Sequence, residues 1–141
     1  ISTAITAAET GHLIFATLHT NDSAQTIDRI IDVFPAHQQN QIRNQLASVL
    51  LGVVSQRLIT RPGGGRIPAV EIMYKTHAVE NLIRENKIHQ IDSVIETSLQ
   101  EGMVSLDRAL ADLVRRGSAS LQDVYAYAKN REYLDMLIAK E

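Results

Sequence analysis

Two histidines, His12 and His19, stand at the ends of an apolar run in the segment TGHLIFATLHT. A histidine side chain can bind a metal ion, transfer a proton or contact a phosphate group. The run between them is short and contains Ile14 and Phe15, which predicts a buried strand over residues 12–18. Such a strand would place the two rings on opposite faces and about 20 Å apart, so they could not share one metal ion.

Other chemistries find little support in the sequence. It has no cysteine, no H-E-x-x-H pair and no G-x-S-x-G motif, so it predicts neither a metal site nor a hydrolase triad. The PGGGR run lacks the G-x-x-x-x-G-K-[ST] order of a phosphate-binding loop and favours a hairpin turn.

The position of His19 in the sequence is more informative about function than the fact that it is a histidine. It follows the carboxyl end of the predicted strand, which is where open α/β sheets bind ligands. Thr17, Thr20 and Asn21 add hydrogen-bonding groups at the same point. The pattern therefore predicts either a site that contacts a terminal phosphate or a helix-capping turn.

These residues must be positioned by alternating helices and strands. Residues 2–9 predict a helix that ends at Gly11, and two further helices follow from the spacing of Ile27, Ile30, Ile31 and Phe34 and of Ile42, Leu46, Val49, Leu50 and Val53. The runs on either side of PGGG predict a β-hairpin with Pro68 at an edge or a bulge. Everything after Thr76 reads as helical. We therefore expect an α/β region over residues 1–76 and a helical subdomain over residues 77–141.

Composition limits the classes of partner. The net charge is −2, with 14 basic and 16 acidic residues, so no basic field favours nucleic acid. The longest apolar stretch, residues 49–54, is interrupted by Gly52 and is too short to span a membrane. We expect a soluble cytoplasmic chain without a nucleic-acid partner.

A long segment, TAAETGHLIFATLHTNDSAQTIDRIIDVFP, resembles the His-box region of the secretion and pilus motor ATPases. The later segments QLASVLLGVVSQRL and RIPAVEIM extend the resemblance over residues 3–95. It implies the C-terminal portion of a RecA-like P-loop ATPase domain that assembles into a ring of six and binds ATP and magnesium near subunit boundaries. Within that family, His19 is expected near the terminal phosphate and His12 is its companion. The resemblance assigns the remaining site-ordering or nucleotide-binding positions to Glu9, Thr10, Thr17, Thr20, Gln56 and Arg57.

A second motif resembles the retraction motors of type IV pili. AVENLIRE, residues 78–85, is similar to their AIRNLIRE signature and departs from it at Val79 and Glu80. The residues that carry this motif are Ala78, Val79, Asn81, Leu82, Ile83, Arg84 and Glu85. Extension and type II secretion motors carry a four-cysteine zinc insertion after SQRL, whereas here residues 59–67 lead directly to PAVEIM. An amphipathic helix would by itself explain Val79, Leu82 and Ile83.

The resemblance places the Walker A loop, the acidic box and the Walker B glutamate upstream of Ile1. We therefore expect the C-terminal part of a longer retraction motor, whose 141 residues alone hydrolyse no ATP. The implied partners are five further copies and the inner-membrane pilus platform protein, and the implied location is the cytoplasmic side of the bacterial inner membrane. Two alternatives stay open: a pilus-extension or type II secretion ATPase of the same class, and a non-catalytic helical interaction module.

Overall fold

The computed structural model describes residues 1–140, which form eight α-helices and one β-hairpin. Helices α1 (Ser2–Glu9), α2 (Ser23–Asp32) and α3 (Gln39–Val49) precede the strands β1 (Gly52–Thr60) and β2 (Arg66–Tyr74). Helices α4 (His77–Arg84), α5 (Ile91–Thr97), α6 (Leu106–Arg115), α7 (Leu121–Tyr125) and α8 (Arg131–Ala139) follow. The predicted order of helix, hairpin and helical tail is confirmed.

The hairpin forms as its turn chemistry predicts. Strands β1 and β2 pair antiparallel from Gly52 opposite Tyr74 to Thr60 opposite Arg66. Gly63, Gly64 and Gly65 all have positive φ angles, of 85°, 116° and 77°, a conformation that residues with a Cβ atom rarely adopt. The predicted position of Pro68 is confirmed, because both strands of a two-stranded sheet are edge strands.

The predicted strand over residues 12–18 is wrong for the structure. Residues 12–20 adopt no regular secondary structure, and Leu13 and Phe15 expose 67% and 89% of their surface. A strand needs a neighbour to accept its backbone hydrogen bonds. The sheet found within residues 1–140 has only two strands, and neither pairs with this segment.

Two smaller predictions also need correction. Val53 belongs to β1 and not to the preceding helical stripe, because α3 ends at Val49 and β1 begins at Gly52. The region after Thr76 consists of helices joined by short loops, and Val104, in the loop before α6, exchanges two hydrogen bonds of 2.9 and 3.0 Å with Ile72. This bridge returns the chain to the hairpin before α6 begins.

Two apolar clusters form the core. The first joins α1, α2 and α3 to the end of β2, α4 and α5, through residues that include Ile5, Ile27, Ile31, Leu46, Met73, Ile83 and Ile91. The second packs the hairpin against α6, α7 and α8 through Ile59, Ala69, Leu110, Val124 and Leu134. Each buried isoleucine, leucine, valine or methionine side chain contributes about 1.5–3 kcal/mol. Both clusters contain residues from each side of position 76, and the division there stays a prediction.

Candidate functional site

His12 lies just beyond α1 and helps to end that helix. Its backbone N–H donates to the carbonyl of Ala7 at 3.1 Å, and its Nδ1 lies 3.2 Å from that carbonyl and 3.2 Å from Thr10 Oγ1. Thr10 Oγ1 donates to the same carbonyl at 2.9 Å. The last carbonyls of a helix need donors from outside its regular ladder, which these two residues provide. Glu9, the last residue of α1, accepts a hydrogen bond of 3.2 Å from Gln45 of α3.

His19 is exposed and lies three residues before Asp22, the N-cap of α2. The neighbouring Thr20 is fixed, because its Oγ1 lies 2.7 Å from Thr26 Oγ1. Thr26 Oγ1 donates its single hydrogen to the carbonyl of Asp22 at 2.8 Å, so Thr20 is the donor to Thr26. Thr20 thus anchors the backbone next to His19, while the side chains of His19 and Thr17 face solvent.

The helix-capping turn, one of the two predicted alternatives for this segment, is present. Asp22 Oδ1 accepts the N–H of Gln25 at 2.7 Å, and Gln25 Oε1 accepts the N–H of Asn21 at 3.1 Å. These reciprocal bonds satisfy donors at the start of α2. Contact between His19 and a phosphate stays a prediction. The cap fixes the backbone near this histidine.

Gln56 and Arg57 are separated by the pleat of β1. Neighbouring strand residues point to opposite faces; Gln56 is exposed and Arg57 is half-buried. The Arg57 guanidinium lies 5.8 Å from the ring centroid of Tyr127, a cation–π contact with the α7–α8 segment. Their side chains therefore lie on different sides of the hairpin, and Arg57 has a packing role.

The AVENLIRE motif forms α4, and its residues divide between core and surface. Thr76 caps the helix by accepting the N–H of Val79 at 3.3 Å. Val79 and Ile83 are 1% exposed, and Leu82 packs against the same cluster. The amphipathic prediction is confirmed for these three residues. The exposed members of the motif are Ala78, Asn81, Arg84 and Glu85.

Glu80, at one of the two positions that depart from the retraction signature, has three basic neighbours. Its carboxylate lies 3.3 Å from Lys75, 3.4 Å from His77 and 3.8 Å from Arg84. The hydrogen bond from Lys75 holds the pKa of Glu80 below its usual value. The negative charge of this glutamate is therefore balanced by basic side chains next to it.

The sequence prediction missed a polar cluster around Lys129, which lies between α7 and α8. Its ammonium group lies close to the carboxylates of Glu71, Asp92 and Asp22. Burial lowers the pKa of Lys129, but these carboxylates outweigh it and the pKa lies above its usual value. One signal was available, because Glu71 shares the inner face of β2 with Ala69 and Met73.

The carboxyl group of Asp107, nearby in α6, has a raised pKa. Burial raises it and outweighs the backbone N–H groups of Lys129 and Asn130, which lower it.

Within residues 1–140 no three His, Cys, Asp or Glu side chains are grouped as a metal site would require. Over the same residues, no helix combines the length and apolarity needed to cross a membrane.

The fold of residues 1–140 is that of the pilus and secretion ATPases. The chain superposes on the structure of the pilus retraction motor PilT with bound ADP with a TM-score of 0.83, at 41% identity over 96% of this chain and 38% of that one. Residues 1–63 match the family described as Type II/IV secretion system protein. Those residues are similar to this family, and the superposition extends the similarity in fold over 96% of the chain.

Curated relatives extend the similarity beyond residue 63. The chain is 48% identical to the twitching motility protein of Neisseria gonorrhoeae, over 94% of this chain and 36% of that protein. It is 50% identical to the type IV pilus retraction ATPase PilT of Pseudomonas aeruginosa, over 92% of this chain and 38% of that protein. The match to the pilus assembly ATPase PilB of Thermus thermophilus covers only 39% of this chain. The chain thus spans little more than a third of the length of the relatives that it matches throughout.

Proposed function

We propose that the protein containing these residues is an ATP-driven motor for type IV pilus retraction, and hence for twitching motility. One observation carries the proposal: the similarity to a twitching motility protein and to a pilus retraction ATPase covers 92–94% of the chain, whereas that to a pilus assembly ATPase covers 39%. A motor for extension or secretion would be expected to share the C-terminal helices with the assembly ATPases. The extent of the match therefore favours retraction.

In this proposal His19 contacts the terminal phosphate of ATP. Its exposed ring stands on a backbone fixed by the Thr20–Thr26 hydrogen bond and by the Asp22 cap. A donor held in this way can stabilise charge that develops on a phosphoryl oxygen without reorganising during the reaction. His12 instead orders the end of α1, and Thr17 is a second exposed side chain beside the site.

ATP turnover requires further groups that these 141 residues do not supply. The sequence contains no G-x-x-x-x-G-K-[ST] loop, which would hold the phosphates and a magnesium ion. We propose that this part of the machinery is contributed by the longer protein, in a ring of six subunits at the cytoplasmic face of the inner membrane. The 141-residue chain alone is expected to show no ATP hydrolysis above that of buffer.

His19→Ala in the full-length protein tests the assigned role. We expect kcat for ATP hydrolysis to fall about 100-fold, because one stabilising donor is lost, while nucleotide binding and the melting temperature are retained. His37→Ala is the matched control, since His37 is also exposed and lies in the turn Ala36–Gln38 before α3. Equal activities of the two variants would contradict the role of His19.

Deletion of the gene separates retraction from extension. A retraction motor predicts cells that carry excess pili and do not twitch, whereas an extension motor predicts cells without pili. Surface pili counted by electron microscopy give the answer, and complementation with the intact gene is the control. Cells without pili would overturn the retraction proposal and favour the extension alternative.

A further inference from the structure

One ammonium group joins three elements that are far apart in the sequence. Lys129 Nζ lies 3.0 Å from Asp92 Oδ1, 3.1 Å from Glu71 Oε2 and 3.5 Å from Asp22 Oδ2. These carboxylates belong to α5, to β2 and to the N-cap of α2. Glu71 is the most deeply buried of them, with 2% of its side chain exposed. An ionised group at that depth needs a charge partner, and Lys129 is the cation that contacts it.

The loop that carries Lys129 is anchored independently of its side chain. The backbone N–H groups of Lys129 and Asn130 donate to the two carboxylate oxygens of Asp107 at 2.9 and 3.0 Å. Asp107 lies in the first turn of α6 and is 2% exposed. Because these bonds use the backbone, replacing the Lys129 side chain leaves the loop attached to α6.

Glu71 links Lys129 to the start of α2. Its Oε2 contacts Lys129, while its Oε1 accepts the backbone N–H of Ser23 at 2.9 Å. Ser23 is the first residue of α2, and its predecessor Asp22 is the cap that Lys129 also contacts. From there, the Thr20–Thr26 bond leads to the backbone beside His19.

We propose that Lys129 is a positioning residue that couples the C-terminal helices to the His19 segment. By holding Glu71 and Asp22, it fixes the first turn of α2, and with it the backbone on which His19 stands. A shift of the α7–α8 loop relative to the hairpin would move this turn. The inference rests on the proposed function, in which His19 contacts nucleotide.

The charges of the cluster allow a specific suppressor. Lys129→Met keeps most of the apolar stem but leaves Glu71 as a buried anion without its cation. Glu71→Gln removes that anion and keeps a side-chain oxygen that can accept the Ser23 N–H. A second substitution, Glu71→Gln, should therefore partly rescue Lys129→Met if the coupling runs through Glu71.

The full-length protein provides the test, with amide hydrogen exchange and ATPase kinetics as the two readouts. In Lys129→Met we expect exchange at Ser23 to accelerate about tenfold, while the amides of residues 129 and 130 keep their protection. We expect kcat to fall about fivefold with little change in KM, because misplacement of a positioned group affects the reaction more than binding. Adding Glu71→Gln should restore part of the protection at Ser23 and part of kcat. Lys87→Met is the control, at an exposed lysine that pairs with the exposed Glu85.

The outcomes distinguish this role from the proposed function. Unchanged exchange at Ser23, or faster exchange with normal kcat, would overturn the positioning role while ATP turnover still supported the motor. Loss of activity that Glu71→Gln does not relieve would also overturn the route through Glu71. Absence of ATP turnover by the unsubstituted full-length protein would overturn the proposed function and this role together.

Discussion

Lys75 and Glu80 are joined by an ion pair of 3.3 Å between Nζ and Oε1, and this pair connects α4 to the end of α3. Lys75 Nζ also donates to the carbonyl of Ser48, in the last turn of α3. His77 and Arg84 lie on the other sides of the same glutamate. An arginine at position 80, as in the retraction signature, would face three basic side chains. The departure at position 80 therefore has a local electrostatic explanation.

Glu80→Gln should destabilise the protein in a pH-dependent way. The hydrogen bond from Lys75 lowers the pKa of Glu80, so the ionised form is favoured in the folded state. The stability it contributes is present above the unfolded pKa near 4.5 and is lost as pH falls through the lower folded value. We expect a lower melting temperature than wild type at pH 7 and a difference that shrinks as pH falls below 4.5. A difference that does not shrink with falling pH would contradict the ion-pair explanation.

Ile83→Ala and Asn81→Ala separate the buried and exposed halves of the AVENLIRE helix. Ile83 is 1% exposed within the first apolar cluster, so truncation should cost about 2–5 kcal/mol of unfolding free energy. Asn81 is exposed, and its replacement should change stability by less than about 0.5 kcal/mol. Urea denaturation measures both. Equal losses of unfolding free energy in the two variants would contradict the buried position of Ile83 and the exposed position of Asn81.

This division also changes which substitutions can test a transmission role for the motif. A polar side chain at Ile83 would unfold the helix and impair retraction for a structural reason. Asn81 and Arg84 are the positions whose replacement can alter twitching without loss of the fold, since both are exposed.

Gly102→Ala should be more damaging than Gly63→Ala. The two glycines have similar φ angles, 89° and 85°, so an alanine carries similar backbone strain at either position. At Gly102 the added Cβ would also lie 3.1 Å from Tyr74 Cε2, whereas at Gly63 it would meet open space. We expect a loss of about 2 kcal/mol against about 1 kcal/mol in thermal or urea denaturation. The reverse order would show that the turn before Met103 is mispositioned.

Local signals predicted the parts of this fold that depend on neighbouring residues. The glycines after Pro62 specify the hairpin, and the spacing of Ile27 and Ile31 specifies the buried side of α2. The cap of α2 that follows His19 was also one of the two alternatives predicted for its segment. In each case the residues that decide the structure lie within a few positions of one another.

The Lys129 cluster could not be predicted in the same way. Lys129 contacts Asp92 and Glu71 across separations of 37 and 58 positions, so no sequence window contains the partners. The prediction of a strand over residues 12–18 failed for a related reason. Its composition predicts burial, but burial of a strand depends on a partner strand elsewhere in the chain.

Phe15→Ser tests what becomes of that apolar run. In the 141-residue chain Phe15 is 89% exposed, so the substitution should shift the melting temperature by less than about 2 °C. Ile27→Ser is the control, because Ile27 is fully buried and a buried hydroxyl there lacks the packing of the native side chain. In the full-length protein, a segment with the pattern of a core strand should be covered, and Phe15→Ser should then lower the melting temperature by several degrees. An equally small effect in both proteins would mean that the run is exposed in the longer chain too, and its apolar character would then indicate a contact surface.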